Sequence, residues 1–216
     1  MPSVSEDRAP ALPPVVSAEE WQAARADLLT EEKELTRALD RLAARRRRLP
    51  MVAFDPSYPF AGSDGTRTLL DLFEGRQQLA VYQFMDLGPD AFCPGCTNLT
   101  RNVTDLPTLA DEGVSWATVS DMPLAQMESY WAEQGWDVPF YSSHGTTFSA
   151  DCGAGRGFLL SLFLRDGDDV YRTYSTTRRG VDRVMFVPNI LDLAVYGRQE
   201  DWEDSPDGWP QHPTYG

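Results

Sequence analysis

The sequence has almost no lysine, little histidine and few cysteines. Lys33 is the only lysine among 19 basic residues, and the two histidines are His144 and His212. Functions that depend on a lysine are therefore not expected: Schiff-base formation, phosphate binding by a P-loop lysine, or catalysis by a lysine general base. Two histidines also exclude a histidine-rich zinc site, and three cysteines cannot form a four-cysteine zinc site.

Long apolar runs are absent as well. The longest, residues 158–164, is far shorter than the roughly 18 residues of a membrane span. Residues 1–16 contain four prolines and no apolar stretch typical of a signal peptide. We therefore expect a cytoplasmic protein without a membrane partner. Its thiols are then usually reduced, so that a close cysteine pair is more typical of catalysis or metal binding than of a structural disulfide.

Negative charge dominates the chain, but it is unevenly distributed. The net charge is −14, with 33 acidic and 19 basic residues, which argues against a nucleic-acid partner. Residues 1–50 carry nine acids and nine bases, so the whole excess lies in residues 51–216. This division marks a boundary near residue 50. Together with the residue pattern it predicts a disordered arm (1–16), a long helix (17–49), a folded domain (51–198) and an acidic tail (199–216).

The predicted N-terminal helix has clear start and stop signals. Ser17 and Glu20 form a capping-box pattern, and Pro50 follows an arginine run that suits a helix C-terminus. Large apolar residues recur every seven positions: Trp21, Leu28, Leu35, Leu42 and Leu49. Such a stripe either docks along its own domain or packs on a second subunit, which would make a homodimer.

The remaining pattern predicts an α/β fold. Apolar runs at 78–85 and 114–120 are typical of central strands covered on both faces, and helices are predicted at 97–110, 123–134 and 186–196. An Asp-Gly turn joins the apolar runs 158–164 and 170–175 as a hairpin. This order predicts a mixed sheet flanked by helices.

The candidate catalytic residues lie in Cys93-Pro94-Gly95-Cys96. This CxxC sequence follows a predicted buried strand and stands at the start of a predicted helix. Free N–H groups and the dipole at a helix start stabilise a thiolate and so lower a thiol pKa. The two-residue spacing lets one sulfur attack a mixed disulfide formed at the other. Nearby Asp86 and Asp90 oppose this effect, because negative neighbours raise a thiol pKa.

Six stretches of the sequence carry a family resemblance: VSAEEW at 16–21, EKELTR at 32–37, LDLFEG at 70–75, VYQFM at 81–85, CPGC at 93–96 and YRTYST at 171–176. On these the chain resembles a thioredoxin-like bacterial family catalogued as domain of unknown function 899. The similarity implies a thioredoxin-like fold, to which the predicted N-terminal helix is appended, and dithiol–disulfide chemistry at Cys93 and Cys96. Gln83 stands where the family often shows histidine.

Residues 89–96 are also similar to the peroxiredoxin loop P-x-x-x-T-x-x-C, with Cys93 at the threonine position. This second resemblance implies that Cys96 is the peroxidatic cysteine and that Arg156 stabilises its thiolate. Cys152 is either a resolving thiol or a small buried side chain. His144 is either a solvated loop residue or a third ligand beside Cys93 and Cys96 for copper or zinc.

The expected function is therefore a dithiol–disulfide oxidoreductase without a cofactor, acting on a thiol, disulfide or small-molecule substrate. Cys93 attacks and Cys96 resolves, with Pro94, Gly95, Arg156 and Cys152 as supporting residues. Two alternatives stay open: a peroxiredoxin-like thiol peroxidase, and a copper- or zinc-binding or redox-silent interaction protein with this fold.

Overall fold

The structure, a computed structural model, describes residues 12–155, 157–205, 209 and 211–213. It comprises two compact units, one from the described residues of Met1–Arg48 and Ile190–Gly216, the other from Leu49–Asn189. Residues 1–11 of the predicted arm lie outside the described residues, as do Arg156 and positions 206–208, 210 and 214–216 of the predicted tail. In the described part of the chain, no helix is long and apolar enough to cross a membrane.

The first unit is built around a long helix, α1 (Ala18–Arg46). The Ser17 hydroxyl accepts a hydrogen bond from the Glu20 backbone N–H at 3.2 Å, and the Glu20 carboxylate accepts one from the Ser17 N–H at 2.9 Å. This capping box satisfies N–H groups that a helix start leaves without partners. The appended N-terminal helix is confirmed, although it ends three residues before the predicted position 49.

The second unit contains a mixed sheet in which eight strands are described, in the order β1-β8-β7-β4-β5-β6-β2-β3. The strands are β1 (Val52–Phe54), β2 (Pro59–Gly62), β3 (Gly65–Thr68), β4 (Gln78–Phe84), β5 (Val114–Ser120), β6 (Phe140–Ser142), β7 (Leu159–Asp166) and β8 (Asp169–Thr176).

Crossover helices connect the parallel strands at the centre of the sheet. β4 and β5 are parallel, with α2 (Pro94–Arg101) and α3 (Leu106–Asp111) between them in the chain. α4 (Leu124–Gln134) leads from β5 to β6, which is also parallel. β7 is antiparallel to β4, and β8 returns beside β7 as a hairpin. The order β8-β7-β4-β5 with these connections is the thioredoxin-like arrangement that the sequence predicts.

Three of the smaller predicted boundaries differ from the structure. The predicted helix 97–110 is two helices, because Asp105 adopts a left-handed conformation (φ 55°) that a continuous helix cannot include. Its first part begins at Pro94, earlier than the predicted residue 97. The predicted last helix, 186–196, is α6 (Phe186–Leu191). Further short elements are α5 (Phe148–Asp151) and the 3₁₀ turns Asp71–Phe73 and Arg178–Val184.

The sheet separates two apolar clusters. Alternate residues of a strand point to opposite faces, so Leu79 and Val81 of β4 lie on one face and Tyr82 and Phe84 on the other. The first pair belongs to a cluster with Phe148 and Cys152 on its side of the sheet. The second pair belongs to a cluster that includes Cys93, Cys96, Leu99, Tyr130 and Trp131.

Candidate active site

The CxxC sequence lies where β4 ends and α2 begins, as the sequence predicts. A short loop joins the two elements and is held by one backbone bridge and two side-chain hydrogen bonds. Asp86 and Phe92 form an isolated antiparallel bridge. The Asp86 carboxylate accepts a hydrogen bond from the Gly88 N–H at 2.8 Å, and the Gln126 side-chain amide donates to the Gly88 carbonyl at 2.8 Å. These contacts therefore fix the loop conformation that precedes the start of α2.

Cys93 is the N-cap residue of α2. Its Sγ accepts a hydrogen bond from the backbone N–H of Cys96 at 3.2 Å, and its carbonyl accepts one from the Thr97 N–H at 2.9 Å. Pro94 occupies the first helical position, where the missing N–H costs no hydrogen bond and the fixed φ suits the helix. The sulfur of Cys93 thus replaces the side-chain oxygen of an ordinary N-cap.

Hydrogen bonds lower the pKa of the Cys93 thiol to about 6. The largest contribution comes from the Cys96 side chain, and the backbone N–H groups of Cys96 and Gly95 add to it. Burial acts in the opposite direction, because it disfavours the charged form, but the donors outweigh it. Cys93 is therefore mostly a thiolate at neutral pH.

Cys96 is buried like Cys93, with 1% exposed against 8%, but its pKa shifts in the other direction. The pKa of Cys96 is raised, first by its hydrogen bond to Cys93 and then by burial. The side chain of Tyr82 and the backbone of Met85 lower the pKa of Cys96, but less strongly. The two sulfurs therefore differ in protonation: one is an exchange-ready thiolate, and the other is a buried thiol that donates to it.

An aromatic side chain from α4 supports the start of α2. The Tyr130 hydroxyl lies 2.7 Å from Oγ1 of Thr97, which itself donates to the Cys93 carbonyl at 2.9 Å. Since Thr97 has one hydroxyl proton, Tyr130 is the donor of the pair. The ring of Phe92 stacks on Tyr130 with centroids 3.6 Å apart. Sequence reasoning did not find Tyr130 or Thr97, because their link joins positions 33 residues apart.

The structure does not bring Cys152 to the two site cysteines. It lies in the cluster on the other face of the sheet, with 3% exposed, and burial raises the pKa of its thiol to about 12. All three cysteines are free. Of the two readings open for Cys152, its surroundings favour the small buried side chain.

The alternative metal ligands are not assembled either. His144 is exposed, and its Nδ1 lies 2.9 Å from the carbonyl oxygen of Asp121, which requires that Nδ1 carries the proton. Among the residues that the structure describes, no three His, Cys, Asp or Glu side chains are grouped closely enough to hold a metal ion. Asp90 is exposed within the loop between β4 and α2. Arg156 lies outside the described residues, so its predicted support of a thiolate stays a prediction.

Gln83 is an unusual feature of β4. It is 2% exposed, yet neither polar atom of its amide has a hydrogen-bond partner among the described residues. The side chain lines a cavity of about 80 Å³, together with Asp86, Asp121 and Ser149. A buried amide that lacks hydrogen-bond partners costs free energy.

The sheet order and the dithiol at the start of α2 define a thioredoxin-fold protein with a CxxC site. The chain belongs to the family described as "Bacterial protein of unknown function (DUF899)", which matches residues 10–215. No curated protein matches this chain.

Several solved structures resemble the chain. Peroxidoxin BcpB from Mycobacterium tuberculosis is 17% identical, with 62% of this chain and 94% of that chain covered and a TM-score of 0.46. Peroxiredoxin Q from Xanthomonas campestris is 20% identical, with 62% and 92% covered and a TM-score of 0.45. Thioredoxin from Wuchereria bancrofti is 16% identical, with 66% and 96% covered and a TM-score of 0.43.

Proposed function

We propose that this protein is a dithiol–disulfide oxidoreductase in which Cys93 is the nucleophile and Cys96 the resolving thiol. The observation that carries the proposal is the position of Cys93 as the N-cap of α2, where its Sγ accepts a hydrogen bond from the Cys96 N–H at 3.2 Å. The pKa of Cys93 is lowered to about 6, whereas that of Cys96 is raised. A thiolate is the attacking species in disulfide exchange, so the pair has one group ready for each of two successive steps.

In the first step the Cys93 thiolate attacks one sulfur of a substrate disulfide. A new bond forms between Cys93 and that sulfur, the substrate S–S bond breaks, and the second substrate sulfur leaves as a thiolate. In the second step Cys96 gives its proton to the substrate thiolate released in the first step and attacks Sγ of Cys93. A bond forms between the two cysteine sulfurs, the bond between Cys93 and the substrate breaks, and the remaining substrate sulfur leaves as a thiolate. Two electrons have then passed to the substrate, and the protein holds a Cys93–Cys96 disulfide.

The order of the two steps follows from what raises the pKa of Cys96. The hydrogen bond to Cys93 is the largest cause of the raised pKa, and the charge of Cys93 adds to it. Once Cys93 is bonded to substrate, its sulfur is neutral and both effects end. The pKa of Cys96 then falls, so Cys96 loses its proton more easily. The resolving thiol therefore becomes reactive only after the mixed disulfide has formed. A dithiol reductant returns the pair to the reduced form.

The experiment compares Cys93→Ser, Cys96→Ser and the matched control Cys152→Ser, with a peptide disulfide as substrate and dithiothreitol as reductant. We expect Cys93→Ser to lose turnover and Cys152→Ser to keep it. Cys96→Ser is expected to accumulate a mixed disulfide at Cys93, which intact-mass spectrometry detects. Turnover retained by Cys93→Ser overturns the proposal.

Two further measurements separate the alternatives. Peroxide consumption with a sulfenic acid at Cys96, without disulfide turnover, would support the thiol peroxidase; the burial and raised pKa of Cys96 favour disulfide exchange instead. Stoichiometric copper or zinc in protein purified without chelators, lost in Cys93→Ser, would support the metal-binding alternative. Metal-free protein with a titratable dithiol supports the oxidoreductase.

A further inference from the structure

The apolar stripe of α1 is open to solvent. Trp21, Leu28, Leu35 and Leu42 recur every seven residues, and they are 55%, 51%, 61% and 39% exposed. None of the residues of α1, all of which the structure describes, is buried. Exposed apolar residues are unremarkable singly, but a stripe along four turns or more of one helix marks an interaction surface.

The charges of α1 are divided between its two ends. Residues 18–34 contain six acids and two bases, a net charge of −4, whereas residues 35–46 contain one acid and four bases, a net charge of +3. Two copies that meet head to tail along this helix would therefore place each acidic half against a basic half. The same two helices side by side in one direction would place like charges together.

Charged residues also border the stripe at the same seven-residue interval. Asp27, Glu34 and Arg41 each precede a stripe residue, with the two acids first and the base last. If the stripe occupies a core position of a coiled coil, these three residues share one flanking position. In antiparallel pairs such flanking positions face one another, so that Glu34 of each copy lies opposite Arg41 of the other.

We propose that α1 pairs antiparallel with α1 of a second copy of this chain, which makes the protein a homodimer. The apolar stripe supplies the buried surface, and the division of charge sets the direction. A lipid surface fits less well. Interfacial helices are typically rich in Lys and Arg along the whole polar face, whereas the first half of this helix is acidic.

The test uses charge exchange in the full-length protein. Arg41→Glu places Glu34 opposite a second acid twice per dimer. We expect it to raise the dimer dissociation constant about tenfold at low salt, and less as salt increases. The double variant Glu34→Arg with Arg41→Glu restores opposite charges and is expected to return the constant to within about threefold of the original. Arg37→Glu, on the same helix but away from the stripe, is the matched control.

Analytical ultracentrifugation over a concentration series measures the constants, and circular dichroism checks that each variant keeps its helix. Weakening by Arg41→Glu with recovery in the double variant supports the antiparallel pair. A monomer at every concentration overturns the proposal, as does equal dimerisation of Arg41→Glu and Arg37→Glu. Co-sedimentation of monomeric protein with anionic phosphatidylserine vesicles, lost in Leu28→Glu, would assign the stripe to lipid and also overturn it.

Discussion

The backbone N–H of Cys96 donates to the sulfur of Cys93 across 3.2 Å, and the Cys96 side chain donates to the same sulfur. One residue thus stabilises the charge of the other with two donors. This arrangement requires the helical turn that begins at Pro94. In that turn the N–H of Cys96 points back at the side chain of the N-cap residue Cys93. Four consecutive residues therefore create both the nucleophile and its partner.

We predict that alkylation of Cys93 by iodoacetamide reaches half its plateau rate near pH 6, well below the roughly 8.5 of an ordinary thiol. Cys96→Ala removes the strongest donor, so we expect the midpoint to rise by about one unit or more. Cys152→Ser is the control and is expected to leave the pH midpoint of Cys93 alkylation unchanged. Mass spectrometry assigns the modified residue. A midpoint unchanged in Cys96→Ala would contradict the role given to the Cys96 side chain.

The stability of the reduced protein is predicted to depend on the protonation of Cys93. Its pKa is lower in the folded protein, about 6, than in the unfolded chain, so the folded state binds fewer protons between these values. The stabilisation is present above about pH 8.5 and is lost as the pH falls through 6. We expect the free energy of unfolding to gain about 2 kcal/mol from pH 5.5 to 8 because of this group.

Urea unfolding of the original protein and of Cys93→Ala at both pH values measures this contribution. The variant removes the titrating thiol, so its free energy of unfolding is expected to change less over the same interval. An identical change in the two proteins would show that other groups cause the dependence.

Tyr130→Phe is predicted to destabilise the protein by about 1 kcal/mol, because it removes the buried hydrogen bond to Thr97 and keeps the stack on Phe92. Tyr130→Ala also removes the stacked ring and is expected to cost about 3 kcal/mol or more. Chemical denaturation measures both. Equal effects of the two variants would mean that the ring contributes little and would contradict the packing described for it.

Gln83→Leu is predicted to stabilise the protein by about 1–2 kcal/mol, which corresponds to a rise in Tm of several degrees. The change removes two buried polar atoms that have no partner among the described residues and keeps the volume similar. Gln78→Leu, at the exposed start of the same strand, is the control and is expected to change stability by less than about 0.5 kcal/mol. Destabilisation by Gln83→Leu would show that a molecule in the adjoining cavity satisfies the amide.

The main elements of the fold could be predicted because their signals are local. The apolar run of β4, the Asp-Gly turn between β7 and β8 and the capping box of α1 each depend on a few consecutive residues. The CxxC sequence at a helix start is of the same kind. β6 and the pairing of β2 with it could not be predicted. β6 has only three residues, and the pairing of β2 with β6 joins Ala61 to Ser142, which only the folded chain brings together.

The sequence by itself determined the order of strands, helices and hairpin along the chain and the position of the CxxC sequence at a helix start, since periodicity and capping act between near neighbours. Only the tertiary structure decided that Cys152 lies across the sheet from the dithiol, and that Tyr130 reaches the helix start through Thr97. Which face a side chain occupies, and what it meets there, depends on packing between segments far apart in the chain.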